Sequence, residues 1–411
     1  MKTLKRVSVL VLALLCLAGC GGGNGSLSET VKPASVEVPE ELEEGDAAAL
    51  AGFSLALLRE NWTGENILLS PLSVLSALGM TANGARGETL AQMETALGLP
   101  VERLNGALAA WAADLPKEKP CRVDLANALW LRDDGTLEAD QEFLAAAAGW
   151  YKAEVFPSRF DAAAVKEING WVEKNTHGMI DGIVEEFSDT AMLCLVNALA
   201  LEAEWETVYR EDQVWENRVF TAEDGRKQSA TLMSSSEWSY LEDAGAQGFQ
   251  KPYAGGRWAF AALLPEEGVE LETYLASLTG ERLYAVLAGA EEREVYAAVP
   301  RFSCEYGAEL NDSLRAMGIT AAFEAGEADF SGMGQSSLGP LYISQVLHKT
   351  RIAVDEKGTE AGAATAVIMD AGGTMVEDPV PVVHLDRPFL YMLVDRETNL
   401  PAFIGAVTSM E

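Results

Sequence analysis

The chain has 411 residues, is 48% hydrophobic and carries a formal net charge of −33. That length admits a large core or two domains. The acidity argues against nucleic acid, heparin-like polyanions and anionic lipid headgroups as electrostatic partners. Met1–Cys20 reads as a targeting segment outside the fold, with Lys2, Lys5 and Arg6 ahead of an apolar stretch, Val7–Leu17, too short to span a bilayer well. Residues 20–45 form a Gly/Ser/Pro/Glu tether without apolar periodicity, expected to be flexible.

Asp46–Glu60 reads as an amphipathic helix capped by Asp46, with Leu50, Phe53, Leu57 and Leu58 on one face. Asn66–Leu75 reads as a short strand running into a helix, with Ser70 as cap and Pro71 in the first helical position. Further helices are expected at Gly87–Leu97, Phe143–Tyr151, Asp161–Met179 and Leu271–Leu287. Arg122–Leu131 alternates as a strand with Asn127 inside it. Ala191–Leu201 is an apolar run broken by Asn197, whose amide needs partners, since an unpaired one costs about 1–3 kcal/mol. Val219–Leu264 reads as several strands, Val295–Ser303 as one and Tyr342–Asp355 as a long one carrying His348. Phe389–Val407 forms a hairpin. Cys121, Cys194 and Cys304 show no metal-site or redox spacing and are expected to be buried thiols.

The stretch from Val354 to Met369 organises the rest. A charged turn, Asp355-Glu356-Lys357-Gly358, leads into Thr359-Glu360 and the small residues Ala361–Ala366. At period 2, Thr359, Ala361, Ala363, Thr365, Val367 and Met369 share one face; Glu360, Gly362, Ala364, Ala366 and Ile368 share the other. Such a segment could be buried as a strand with no charge on its inner face. About twenty residues of Gly, acid and Pro follow, and a connection that long is usually functional or disordered.

DEKGTEAGAATAV, with DRPFLYMLVDRETNLPAFIGAV downstream, resembles the hinge and reactive-centre loop of the serpins, the serine-protease-inhibitor family. The resemblance covers roughly Asp46–Met410. It implies one α+β domain over residues 46–411, with about eight or nine helices, three β-sheets and an exposed loop. It makes Glu356, Gly358, Thr359, Glu360, Ala361, Gly362, Ala363 and Ala364 the hinge, and places Ser70, Ser73, Asn169, Asn197 and His348 in a polar cluster holding the central sheet closed. Trp205 would stand where the loop goes in, with Arg301 pairing Glu356. Leu17-Ala18-Gly19-Cys20 resembles a bacterial lipobox. That implies a signal peptide over residues 1–19, a lipid on Cys20, and anchorage on the outer face of the cell envelope.

Enzymatic signatures are missing: no G-x-S-x-G elbow, no H-E-x-x-H, and three histidines without motifs around them. The expected function is suicide inhibition of a serine protease by a monomer without metal or cofactor. The alternatives are a non-inhibitory serpin and a surface binding lipoprotein. The family's spacing from Gly358 puts the scissile bond at Gly372-Gly373, with Met375 as second choice. No Lys or Arg occurs between Lys357 and Arg387, so an elastase-like or subtilisin-like target is expected rather than a trypsin-like one.

Overall fold

A computed structural model describes residues 31–359 and 379–410. The chain opens with α1 (Glu44–Asn61), β1 (Ile67–Leu69), α2 (Pro71–Gly84), α3 (Gly87–Leu97) and α4 (Val101–Trp111). Next come β2 (Lys117–Glu118), β3 (Cys121–Arg132), β4 (Leu137–Ala139), α5 (Gln141–Trp150), β5 (Glu154–Ser158), α6 (Ala162–Asn175) and β6 (Leu193–Glu204). The middle holds β7 (Val214–Thr221), β8 (Lys227–Glu237), β9 (Tyr240–Asp243), β10 (Ala246–Pro252), β11 (Trp258–Pro265), α7 (Leu271–Ser277) and α8 (Gly280–Ala288). β12 (Val295–Pro300), β13 (Phe302–Glu309), α9 (Asn311–Ala316), β14 (Gly334–Ser336), β15 (Leu347–Val354) and β16 (Gly358–Thr359) follow. β17 (Val382–His384), β18 (Phe389–Asp395) and β19 (Leu400–Val407) close the chain.

Three large sheets organise these strands. The central sheet runs β13-β15-β16-β6-β3-β2, with β5 parallel to β3. A six-stranded sheet runs β1-β19-β18-β11-β10-β9, and a four-stranded one β17-β12-β8-β7. With nine α-helices among the described residues, the α+β expectation holds. Strands β11, β18 and β19 are buried at every position. Their side chains meet protein on both faces, so they read as continuous apolar runs rather than alternating ones. α6 covers β3 and β6 through a separate smaller core that includes Trp130, Ile168, Val172 and Val196.

The helix starts mostly follow the capping residues. The Ser70 hydroxyl accepts from Ser73 N–H at 3.2 Å, and Asp161 accepts from the N–H groups of Ala163 and Ala164. Asp46 is an exception: α1 starts at Glu44, and the Asp46 carboxylate pairs with Arg103 on α4 instead of capping. The expected helix Leu271–Leu287 is two, because Thr279 caps a fresh start by accepting from Arg282 N–H. α6 stops at Asn175 rather than Met179; His177 and Gly178 follow at φ +53° and +81°, which no helix continues. The long strand expected from Tyr342 begins only at Leu347. Upstream, the Asn311 amide donates to Ser344 C=O and accepts from Val346 N–H, which takes that backbone out of the sheet.

Part of the expected tether lies on the protein surface as packed chain. Val31 is buried, and Ala34 N–H donates to Ala145 C=O on α5 at 2.9 Å. Gly149 and Gly106 make room for this: a Cβ at Gly149 would stand 2.8 Å from Ala34 O, and one at Gly106 3.3 Å from Pro39. The three cysteines are free; Cys121 and Cys304 are buried, which pushes their thiols up to about 11, while Cys194 is half-buried rather than buried.

Candidate functional site: a seam in the central sheet and its hinge

In the central sheet β6 and β15 flank the two-residue β16, which is paired with both. Thr359 lies opposite Val354 on one side and Ala203 on the other, and Gly358 lies opposite Glu204. A tight turn delivers β16 there. The Asp355 carboxylate accepts from Lys357 N–H at 2.7 Å and Gly358 N–H at 3.2 Å, and Asp355 N–H donates to Gly358 C=O at 3.0 Å. Position 358 must be Gly, because a Cβ there would run into the Ala203 carbonyl.

Trp205, at the end of β6, holds the turn from the opposite side. Its indole N–H donates to Asp355 C=O at 2.8 Å and its backbone N–H to Lys357 C=O at 2.8 Å; Tyr209 N–H donates to Glu356 C=O at 3.0 Å. Trp205 is buried and stacks on Tyr253 with ring centroids 4.6 Å apart. The Tyr253 hydroxyl in turn meets the Thr359 hydroxyl, and burial raises its pKa. Thr359 is 2% exposed, so the face that period 2 marks as inward does turn inward at its first residue. Arg301 and Glu356 form the expected ion pair, but Arg301 is half exposed, and such pairs contribute about 0–1 kcal/mol.

Below Thr359 no ladder joins β6 to β15 among the described residues; β16 alone links them. Leu199, Leu201, Thr350, Ile352 and Ile180 line a cavity of about 10 Å³, roughly the room of one water molecule. Lys349 on β15 reaches the segment after α6 through Asp181 at 2.8 Å.

The polar residues further down do not form the single cluster expected of them. The His348 imidazole Nε2 accepts from Ser70 N–H at 3.1 Å, and the Ser70 hydroxyl donates to Ala402 C=O at 3.0 Å. Asn197 donates instead to Asn127 on β3 at 2.7 Å, and Asn127 to Tyr151 C=O at 2.8 Å. Both amides lie on paired strands, so they meet across the ladder rather than across the seam. Ser73 takes part through its backbone alone among the hydrogen bonds described. Asn169 is elsewhere: it lies on α6, where its carboxamide accepts from Ile183 and Val184 N–H and donates to Val184 C=O, pinning the chain after the helix. Burial of His348 lowers its pKa to about 4, so the ring is neutral and its Nε2 is free to accept.

The serpin family model, described as serpin (serine protease inhibitor), matches residues 48–410. The chain belongs to the serpin family. An uncharacterized serpin-like protein of Thermococcus kodakarensis is 31% identical, the match covering 98% of each chain. The thermophilic serpin Tengpin in its native state is 41% identical with a TM-score of 0.86, over 94% of this chain and 99% of that one. Against Tengpin in its latent state the identity is 38% and the TM-score 0.78, over 92% and 100%. The arrangement described here is thus nearer the native serpin than the latent one.

In this serpin the described part of the expected hinge, Glu356, Gly358 and Thr359, converges with Trp205 and Arg301. Glu360, Ala361, Gly362, Ala363 and Ala364 lie outside the described residues, as do Gly372, Gly373, Met375 and Cys20. Sequence reasoning missed Asn127, Tyr209 and Tyr253 as parts of the site. Asn127 carried a usable signal, a carboxamide inside an apolar alternating strand. Tyr253, in Pro-Tyr-Ala-Gly-Gly, reads only as a turn residue.

Proposed function

We propose that this serpin inhibits serine proteases as a suicide substrate, and that the seam between β6 and β15 is where its cut loop goes. The supporting observation is the register at the hinge. Thr359 is paired with both Ala203 and Val354, in antiparallel sense on both sides. Continuing that register puts Ala361 between Leu201 and Ile352, Ala363 between Leu199 and Thr350, and Thr365 between Asn197 and His348. The residues meeting the core are then small, and the one that arrives beside polar neighbours carries a hydroxyl. Glu360 falls on the other face.

The chemistry follows in order. The protease serine adds to a loop carbonyl, the peptide C–N bond breaks, the new amine leaves with a proton, and the loop's N-terminal part stays esterified to the protease. Released at one end, that part can pair with β6 and β15 together. Each ladder hydrogen bond contributes about 1 kcal/mol net, so roughly ten of them contribute on the order of 10 kcal/mol. That is comparable with the whole stability of a typical domain, about 5–15 kcal/mol. Insertion carries the tethered protease along, and distortion of its site delays hydrolysis of the ester. We assign the bond to Gly372-Gly373, with Met375 as alternative, and the target class to elastase-like or subtilisin-like enzymes. A lipid on Cys20 would hold this monomer at the cell envelope.

Incubation with pancreatic elastase and subtilisin tests the reading. The expected result is a covalent complex that survives a denaturing gel, with a released peptide beginning at Gly373. Cleavage by both proteases without complex would favour a non-inhibitory serpin instead.

A further inference from the structure

A buried ion pair stands behind the hinge, at the point where the three large sheets meet, and the mechanism above makes no use of it. Lys251 on β10 of the six-stranded sheet is 2% exposed. Its ammonium is 2.8 Å from the carboxylate of Glu237, itself 7% exposed, at the end of β8 in the four-stranded sheet. Ser235 donates to the same carboxylate at 2.6 Å. The ammonium also lies 4.4 Å from the centre of the Tyr209 ring and 5.4 Å from that of Trp205, in the connector that follows β6 of the central sheet. Those two residues donate all three hydrogen bonds that grip the backbone of Asp355, Glu356 and Lys357.

Buried ion pairs are seldom retained for stability, because well-packed apolar replacements are often neutral or stabilising. A cation over an aromatic face is directional, however, and the attraction grows when water is excluded. Glu237 fixes the ammonium, the ammonium fixes the two rings, and the rings fix the amides that hold the hinge. We infer that Lys251 is a positioning residue for the hinge: with Glu237 it holds the Trp205–Tyr209 connector in the geometry that keeps an uncut loop from entering the seam. The inference rests on the reading of the seam as the loop's destination, but its test requires no target protease.

Two measurements on Lys251→Met, Lys251→Arg and the double variant Lys251→Met/Glu237→Met decide it. The first is hydrogen exchange of the Trp205 and Tyr209 amides and the Trp205 indole. In Lys251→Met and the double variant these should exchange faster by on the order of tenfold, as loss of a desolvated cation–ring contact implies, while amides of β18 and β19 are unchanged. The second is the rate at which the intact protein, held warm, loses the subtilisin-sensitive loop by spontaneous insertion. That rate should rise by a similar factor in the double variant, even where its urea midpoint equals or exceeds that of the wild type. Lys251→Arg, which keeps a cation between the rings, should stay near wild type in both. If the double variant exchanges and inserts like wild type, the pair is a packing feature alone and the inference fails. It fails equally if Lys251→Arg behaves like Lys251→Met. Should the double variant exchange faster yet insert no faster than wild type, Lys251 grips the connector without keeping the loop out and the inference fails, while the seam reading is decided separately by the cut protein.

Discussion

Thr359 concentrates the argument in one side chain. The alternation of Thr and Ala against Glu and Gly placed it on the inward face, and it is inward; its partner, Tyr253, lies about a hundred positions away and left no trace in the local pattern. Thr359→Val keeps the shape but leaves the buried Tyr253 hydroxyl unpaired, so it should lower stability in urea by about 1–3 kcal/mol. Thr359→Arg would bury an unpaired cation, a penalty of several kcal/mol. It should permit loop cleavage while nearly abolishing covalent complex, converting inhibitor into substrate; unaltered complex yield would show that the cut loop does not run on into the sheet from position 359. His348 gives a prediction in pH. Its pKa falls from the ordinary 6.5 to about 4 on burial, so the fold favours the neutral ring. The associated stability is complete above the unfolded value and is lost as pH drops from about 6.5 through about 4, by about 3 kcal/mol. Urea midpoints across that window should slope less in His348→Gln than in wild type. Parallel slopes would mean that another group carries the dependence.

Elements were legible where apolar residues and caps agreed. Ser70-Pro71 marked the start of α2, and the apolar runs marked β6, β18 and β19, because burial leaves a direct record in composition. Boundaries set by distant groups were not legible. The late start of β15 depends on the Asn311 amide, and the division between α7 and α8 depends on one threonine hydroxyl. α4 went unread although Leu104, Ala107, Leu108 and Trp111 follow helical spacing; Gly106 interrupts that pattern, and its reason is the close approach of Pro39. The carboxamides show the same limit. That Asn197 needs a partner is evident from its apolar strand, but that the partner is Asn127 follows only from the β3–β6 register. Asn127→Ala and Asn197→Ala should each destabilise by about 1–3 kcal/mol. The double variant should cost less than their sum, since the two side chains share a hydrogen bond. Strict additivity in a double-mutant cycle would contradict the pairing.

At the scale of the whole molecule, a sheet whose β6 and β15 are joined only through the two-residue β16 can lower its free energy by gaining a longer strand there. The hinge turn, the Trp205 clasp and the small residues from Ala361 to Ala366 fit that purpose together. The family resemblance carried this part of the reading, since no local pattern encodes which two strands would receive the loop. On the proposed mechanism the acidic surface and the tether matter little, since the work would be done between β6 and β15. The most direct test is a crystal structure of the protein after its loop has been cut. The account predicts a new strand running on from Thr359, paired with β6 and β15 along its length, with Thr365 opposite Asn197 and His348. A cut loop lying outside the sheet, with no new strand between β6 and β15, would contradict it.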